Sequence, residues 1–170
     1  MLTAIIDDLT RERAIQKMED LVDLSRATYM EFAQAPWSRE NFLFELPLKW
    51  QLSVYSSHES NLVGALLAYK RDTDYGPKTE NFFSFIPAVM LKKDFRGKNA
   101  TTPEGRKLAD AMMQRYHEKC IDLGIKESRL GVLPGNISAL KLYESFGYRA
   151  IGEHTGVDDK KRVVMSLYLG

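Results

Sequence analysis

Two apolar runs in the middle of the chain, NLVGALLAYK (61–70) and NFFSFIPAVML (81–91), constrain the fold more than any other feature. A run with few polar positions has no solvent face, so each reads as a strand buried on both sides. Such strands need a layer above and a layer below, and helices are the usual cover. Pro87 lies inside the second run. It has no N–H to give to a ladder, so it marks an edge or a bulge.

The flanking segments supply the layers. From Thr10, a plausible N-cap, Ala14, Met18, Leu21, Val22, Ser25, Tyr29 and Phe32 recur at helical steps until Pro36. Ser38 can cap a second helix over 39–46, which Pro47 stops. An apolar segment over 2–7 reads as a first strand. Trp50, Leu52 and Val54 alternate with Gln51, Ser53 and Tyr55 as another. A long helix from Pro103, with Thr102 as N-cap, sets Leu108, Met112, Tyr116, Cys120 and Leu123 on one stripe and closes at Gly124. SRLGVL is a strand, and NISALKLYESFG is a helix opened by Asn136. YRAIG and RVVMSLYLG are strands around the turn GVDDKK. The order β-α-α-β-β-β-α-β-α-β-β predicts one α/β (α+β) domain over 1–170. Its mixed sheet has about seven strands, antiparallel in its first half, with helices on both faces.

Composition narrows the function. At 170 residues the chain suits one core. The formal net charge of +1 gives no field that would recruit nucleic acid or an anionic membrane, so neither is expected as a partner. One cysteine excludes an internal disulfide and suits a reducing compartment. His58, His117 and His154 share no metal-ligand spacing, so no metal is expected. The start has no basic segment followed by an apolar run, and no stretch has the length of a membrane span. The expected location is the cytoplasm. No Gly-x-x-x-x-Gly-Lys-Ser/Thr occurs, which excludes a P-loop nucleotidase.

Two stretches carry the chemistry. From Asn136 to Tyr148 the chain reads Asn-x-x-Ala-x-x-Leu-Tyr-x-x-x-Gly-Tyr, and some forty residues earlier VMLKKDFRGK leads an apolar strand end into Arg-Gly-Lys. Their order and spacing resemble the GNAT superfamily of acetyl-CoA-dependent N-acetyltransferases, most sharply over 83–152. The resemblance implies that a bulge splays the strand bearing Pro87 from its neighbour. The main chain of Val89, Met90 and Leu91 would then hold the pantetheine arm of acetyl-CoA. It further implies that Arg96, Gly97, Lys98 and Asn99, with the helix start near Gly105 and Arg106, hold the pyrophosphate. Asn136 would bond the pantetheine, and Tyr143 would protonate the departing thiolate. An anion suits a helix N-terminus, whose first N–H groups lack partners.

The chain departs from the family in NATTPEG, four residues longer than the usual turn. Either the extra residues bulge outward and Gly105 still meets the pyrophosphate, or Asn99, Thr101 and Thr102 supply donors instead. Arg96, Lys98, Arg106 and Lys107 keep the site cationic and favour the first.

The general base matters more than the acid. A lysine-like amine of pKa ~10.4 costs roughly 4 kcal/mol to deprotonate near pH 7.4, while a thiolate of pKa ~8.5 needs about 1.5 kcal/mol of help. Glu80, acting directly or through water, is the first candidate, with His58 and His154 behind it. His117 is expected to face solvent and Cys120 to pack. The acceptor site is expected from the first two helices, the loop RDTDYGPKTE and the hairpin GEHTGVDDKK. Asp72, Asp74, Glu80, Asp158 and Asp159 would make its mouth attractive to a cation. The reading is direct acetyl transfer to a primary amine, on a small molecule such as a polyamine or on a protein; a homodimer is left open. Its rival keeps the fold but binds CoA weakly or not at all, without turnover.

Overall fold

The computed structural model describes residues 1–31, 34–79 and 81–170. Phe32 of the expected helix stripe, and Glu80, lie outside them. In chain order the elements are β1 (Leu2–Thr3), β2 (Ile5–Asp8), α1 (Arg11–Gln16), α2 (Met18–Met30), α3 (Arg39–Leu43), α4 (Lys49–Leu52), β3 (Val54–His58), β4 (Asn61–Arg71), β5 (Phe83–Leu91), β6 (Ala100–Thr101), α5 (Leu108–Asp122), β7 (Glu127–Val132), α6 (Ile137–Ser145), β8 (Arg149–Thr155) and β9 (Lys161–Tyr168). Among the described residues the main sheet has seven strands, in the order β2-β3-β4-β5-β7-β9-β8. It is antiparallel from β2 to β5, parallel between β5 and β7, and antiparallel again through β9 and β8. The two apolar runs are its central strands, as their lack of a polar face requires.

Each face of the sheet carries its own core. Leu9, Ala14, Met18, Leu21, Leu24 and Phe42 cover one face, against Leu62, Ala65, Leu67, Ala88 and Met90. Leu108, Met112, Met113, Tyr116, Tyr143 and Tyr148 cover the other, against Val63, Leu66, Ala68, Ile86 and Leu91. Burying one such leucine contributes about 1.5–3 kcal/mol, so β4 alone ties both helical layers to the sheet.

Bulges in β4 and β5, besides one in β8, change which way side chains point. On β4, Leu62 pairs with Ser57 and Gly64 with Ser56, which leaves Val63 extra and resets the alternation. On β5, Ala88 pairs with Leu67 and Phe85 with Tyr69, so Ile86 and Pro87 stand opposite Ala68 alone. Pro87 thus sits at a bulge.

Several local expectations need correction. The strand expected over 50–55 begins only at Val54; Trp50 and Leu52 belong to α4. Lys49 explains the turn. Its buried ammonium donates to the carbonyls of Phe42 (2.6 Å), Phe44 (2.8 Å) and Asn41 (3.3 Å), closing the end of α3. Burial brings its pKa down to about 8. The first helix is broken at Lys17 (φ −106°, ψ 19°) into α1 and α2, although Thr10 caps α1 through Arg13 N–H at 3.2 Å. Ser38 caps α3 in a capping box with Asn41, but the helix ends at Leu43, short of Pro47. The strand over 2–7 divides at Ala4, and its first part pairs with β6 instead of joining the main sheet.

His117 does not face solvent. It is 8% exposed, and its Nε2 lies 2.8 Å from the Tyr148 hydroxyl. That hydroxyl bonds Ser128, which meets Tyr116, which donates to Ser84. The network pins α5 to β5 and β7 from inside. Cys120 packs in the same core, as expected.

Candidate active site

The site begins where two strands part. The parallel ladder of β5 and β7 pairs Ser84 with Ser128, Phe85 with Arg129 and Ile86 with Leu130, and ends at the Pro87 bulge. Beyond it β5 continues to Leu91, paired with β4 on its other side. Two cavities flank the split and share Val89, Asn136, Ala139 and Tyr143. Asn136 is the N-cap of α6, its Oδ1 accepting from Ala139 N–H at 3.2 Å. One helical turn and more along, Tyr143 is 8% exposed, and burial raises its phenol to about 12. A phenol so raised stays protonated near neutrality and can donate.

The first cavity, about 480 Å³, runs from this point toward the Arg-Gly-Lys turn. Val89, Leu91, Ala139 and Leu142 supply apolar lining, Arg96, Lys107 and Lys141 supply cations and Asp110 a carboxylate, with Gly97 beside Arg96. Gly97 has φ +61°, and a Cβ there would meet nothing within 4 Å, so the turn presents open backbone. Lys107 is the N-cap of α5 and makes no side-chain cap, leaving the first N–H groups of a fifteen-residue helix without side-chain partners. Of the residues expected to hold a cofactor, Val89, Leu91, Arg96, Gly97, Asn136 and Tyr143 line this cavity. Met90 is fully buried under α2, and Lys98, Asn99, Gly105 and Arg106 stand apart from the wall.

The reason lies in NATTPEG. The helix expected from Pro103 starts at Leu108. Gly105 N–H bonds Thr102 O at 2.9 Å, and Thr102 N–H bonds Arg106 O at 2.8 Å. Gly105 has φ +84°. This is a three-residue hairpin loop, a turn closed by a left-handed glycine. Its incoming strand β6 pairs with β1, and Ala4 N–H bonds Thr101 O at 2.9 Å. The extra residues anchor the start of the chain, and Gly105 is not at the helix entry.

The second cavity, about 390 Å³, is aromatic. Tyr29 and Trp37 come from the α2–α3 region, Tyr75 from the 72–79 loop, and His154, Asp158 and Arg162 from the β8–β9 hairpin. Arg129 of β7 fixes the loop by donating to the carbonyls of Tyr75 (2.9 Å) and Pro77 (2.7 Å). Tyr75 then stacks between Phe85 and His154, each centroid 4.4 Å away. Its hydroxyl fills the space where a Cβ on Gly131 would be. Burial raises the Tyr29 phenol, and the neighbouring Tyr143 adds to the shift.

The expected acidic mouth looks different. Asp158 lines the cavity, but Arg162 grips it with bonds of 3.0 and 2.8 Å and holds its carboxyl below the usual range. Asp72, Asp74 and Asp159 are not in the wall. Of the base candidates, His154 lines the cavity. His58 lies elsewhere, its Nδ1 2.6 Å from Thr3 O, and Glu80 falls outside the described residues. Sequence reasoning missed Tyr29, Trp37, Tyr75 and Arg162. Tyr29 was read as core because it falls on the apolar stripe of α2, and the others gave no periodic signal.

A strand parted at a bulge, beside an asparagine-capped helix bearing a buried tyrosine, is the arrangement to compare with known proteins. A sequence model of the Acetyltransferase (GNAT) family matches residues 18–148. The chain belongs to the GNAT family. No curated protein matches the sequence. Solved GNAT structures superpose along its length. A chain from the NatC complex bound to Gag peptide and CoA has a TM-score of 0.78 at 15% identity, covering 99% of this chain and 100% of that one. Naa50 from Arabidopsis thaliana, with the bisubstrate analogue CoA-Ac-MVNAL, has 0.71 at 13%, covering 98% and 99%. An aminoglycoside 6'-acetyltransferase type Ii has 0.67 at 17%, covering 98% and 97%. At these identities the likeness is one of fold. The mixed seven-stranded sheet and its helices match the GNAT architecture.

Proposed function

We propose that this GNAT chain is an N-acetyltransferase, moving the acetyl group of acetyl-CoA to a primary amine by direct attack in a ternary complex. The meeting of two cavities at Tyr143, where β5 and β7 part, carries the reading. The split frees strand edge for an amide-bearing arm, so Val89 and Leu91 are assigned to the pantetheine, while the main chain of Met90 faces β4. Arg96, Gly97, Lys107 and the start of α5 are assigned to the pyrophosphate, and Asn136 to the arm. In the transfer the amine nitrogen forms a C–N bond with the acetyl carbon as the C–S bond breaks. The amine proton passes to a base and Tyr143 gives its proton to the thiolate. Among the described candidates His154 is best placed as that base. Cys120 is buried away from both cavities, which favours direct attack over an acyl-enzyme.

The acceptor is a small-molecule or peptide amine. Aromatic walls and a self-neutralised Asp158–Arg162 pair favour one carried by an apolar or aromatic group over a polycation. An α-amine of pKa ~7.7–8.0 would also need less than about 1 kcal/mol for deprotonation near pH 7.4. The second reading, a GNAT-like binding module, is favoured by one observation: Arg96 is already held by Glu31. Thermal melts with acetyl-CoA, beside an acetyl-transfer assay on peptide, aromatic and polyamine acceptors, separate the two. Acetyl-CoA should raise Tm, because it binds only the native state. No shift at millimolar ligand would sink the acetyl-CoA reading; a shift without turnover would favour the module.

A further inference from the structure

The C-terminal end of α2, capped by Glu31, reaches Arg96 in the wall of the first cavity. Arg96 Nη1 donates to Glu31 Oε2 at 3.1 Å and Nη2 to Oε1 at 3.0 Å, a two-pronged clasp. Arg96 Nε donates to Leu91 O at 3.0 Å, so the guanidinium is anchored to the end of β5 and its fork is aimed at the carboxylate. Carboxylate and phosphate oxygens use the same fork. The hydrogen bond from Arg96 holds the Glu31 carboxyl below its ordinary range, and the charge of Lys93 adds to this.

We propose that Glu31 is an internal competitor for Arg96: it takes the place of the cofactor's pyrophosphate in the free protein and so sets the affinity for acetyl-CoA. The inference rests on the acetyl-CoA reading of this cavity. A competitor must be displaceable, and this one is. The side chains of Arg96 and Glu31 are 37% and 42% exposed, so water can replace either partner. The same turn carries Thr28, which lines the cavity and whose Oγ1 is buried without a hydrogen-bond partner. The wall beside Arg96 thus also offers an unpartnered hydroxyl to an entering ligand. Glu31 is also a negative charge on an arginine that lines the cavity, so it opposes a polyanion there unless it is displaced on entry.

Calorimetric titration tests this with CoA, with pantetheine, which lacks the pyrophosphate, and with inorganic pyrophosphate. The proteins are wild type, Glu31→Gln, Arg96→Ala and the double variant. Glu31→Gln keeps the side-chain shape and should tighten CoA and pyrophosphate by up to about fivefold, the upper end expected for an exposed pair. Pantetheine binding should not change, and the gain should vanish in the Arg96→Ala background. CoA binding that is unchanged or weaker in Glu31→Gln overturns the inference alone. An equal gain without Arg96 also overturns it, since the effect would be general electrostatics. Binding of pyrophosphate with the gain, but of CoA by no variant, keeps the competition and overturns the acetyl-CoA reading. Failure of both ligands on every variant overturns both.

Discussion

The two cavities that meet at Tyr143 are built in different ways. The one assigned to the cofactor takes its wall from four compact stretches, the end of β5, the turn at Arg96–Gly97, the start of α5 and α6, with Thr28 of α2 beside them. What it offers is largely backbone and geometry: a bulge that ends a ladder, an open glycine, uncapped N–H groups at a helix start. The one assigned to the acceptor is assembled from the end of α2, the 72–79 loop, the mouth of β5 and β7, and the β8–β9 hairpin. What it offers is side chains: Tyr29, Trp37, Tyr75, His154 and Arg162. Backbone features tolerate change in most side chains around them, so a shared ligand can be held by many sequences. A side-chain cup is respecified by each substitution.

The sharpest test of this contrast is the residue common to both cavities. Tyr143→Phe keeps the ring, so α6 should pack as before and acetyl-CoA affinity should hold. Turnover should fall tens- to a few hundred-fold. Because burial holds the phenol at about 12, the wild-type rate should show no basic limb from this group below about pH 11. A normal rate for the variant would make Tyr143 a packing residue; a collapse of acetyl-CoA affinity would make it a positioning one.

Arg96→Ala should act on one cavity only. CoA should weaken about tenfold, from loss of charge-assisted bonds, with pantetheine and acceptor KM unchanged. Equal losses for CoA and pantetheine would break the assignment of that end to phosphate. Gly131→Ala should act on the other cavity. A Cβ would collide with the Tyr75 hydroxyl, so the ring must move, and acceptor KM should rise severalfold in steady-state kinetics while CoA affinity stays. A CoA effect as large as the acceptor effect would show that the two halves are mechanically one.

The smallest effect on either cavity should come from acid acting through His117. Burial lowers its pKa to about 4, against ~6.5 unfolded, so between these values the unfolded chain binds more protons. Its contribution, roughly 3 kcal/mol at most, is fully present above pH ~6.5 and is lost as pH falls toward 4. Chemical denaturation across this window should show stability rising with pH. In His117→Gln the slope should shrink, while the ratio of CoA to pantetheine affinity stays constant.

The sequence by itself determined the layers and the chemistry-bearing motif. Uninterrupted apolar runs must be covered on both faces, and helical spacing names the covering stripes, so β4, β5, α5 and α6 were legible without coordinates. Pro87 announced its bulge because a missing N–H is a local fact. The Asn136–Tyr148 motif was legible because it is one continuous stretch built around a single helix, from the N-cap of α6 to just past its end. Only the tertiary structure decided the rest. Trp50 and Leu52 alternate like a strand, but Lys49 finds three carbonyls at the end of the preceding helix and its cap, and a buried ammonium must take them. Thr102-Pro103-Glu104 reads as a helix start, but Ala100 and Thr101 find the backbone of Leu2 and Thr3, and the hairpin wins. His117 looks solvated until Tyr148 arrives from thirty-one residues away. For the cavity assigned to the acceptor, the contributing segments could be named from the sequence but not the aromatic residues that line it, because these share no period and no element and only the folded chain brings them to one face. Local propensity and periodicity are written along the chain, whereas partners for buried polar groups, and the walls of a cavity, come from wherever the fold delivers them.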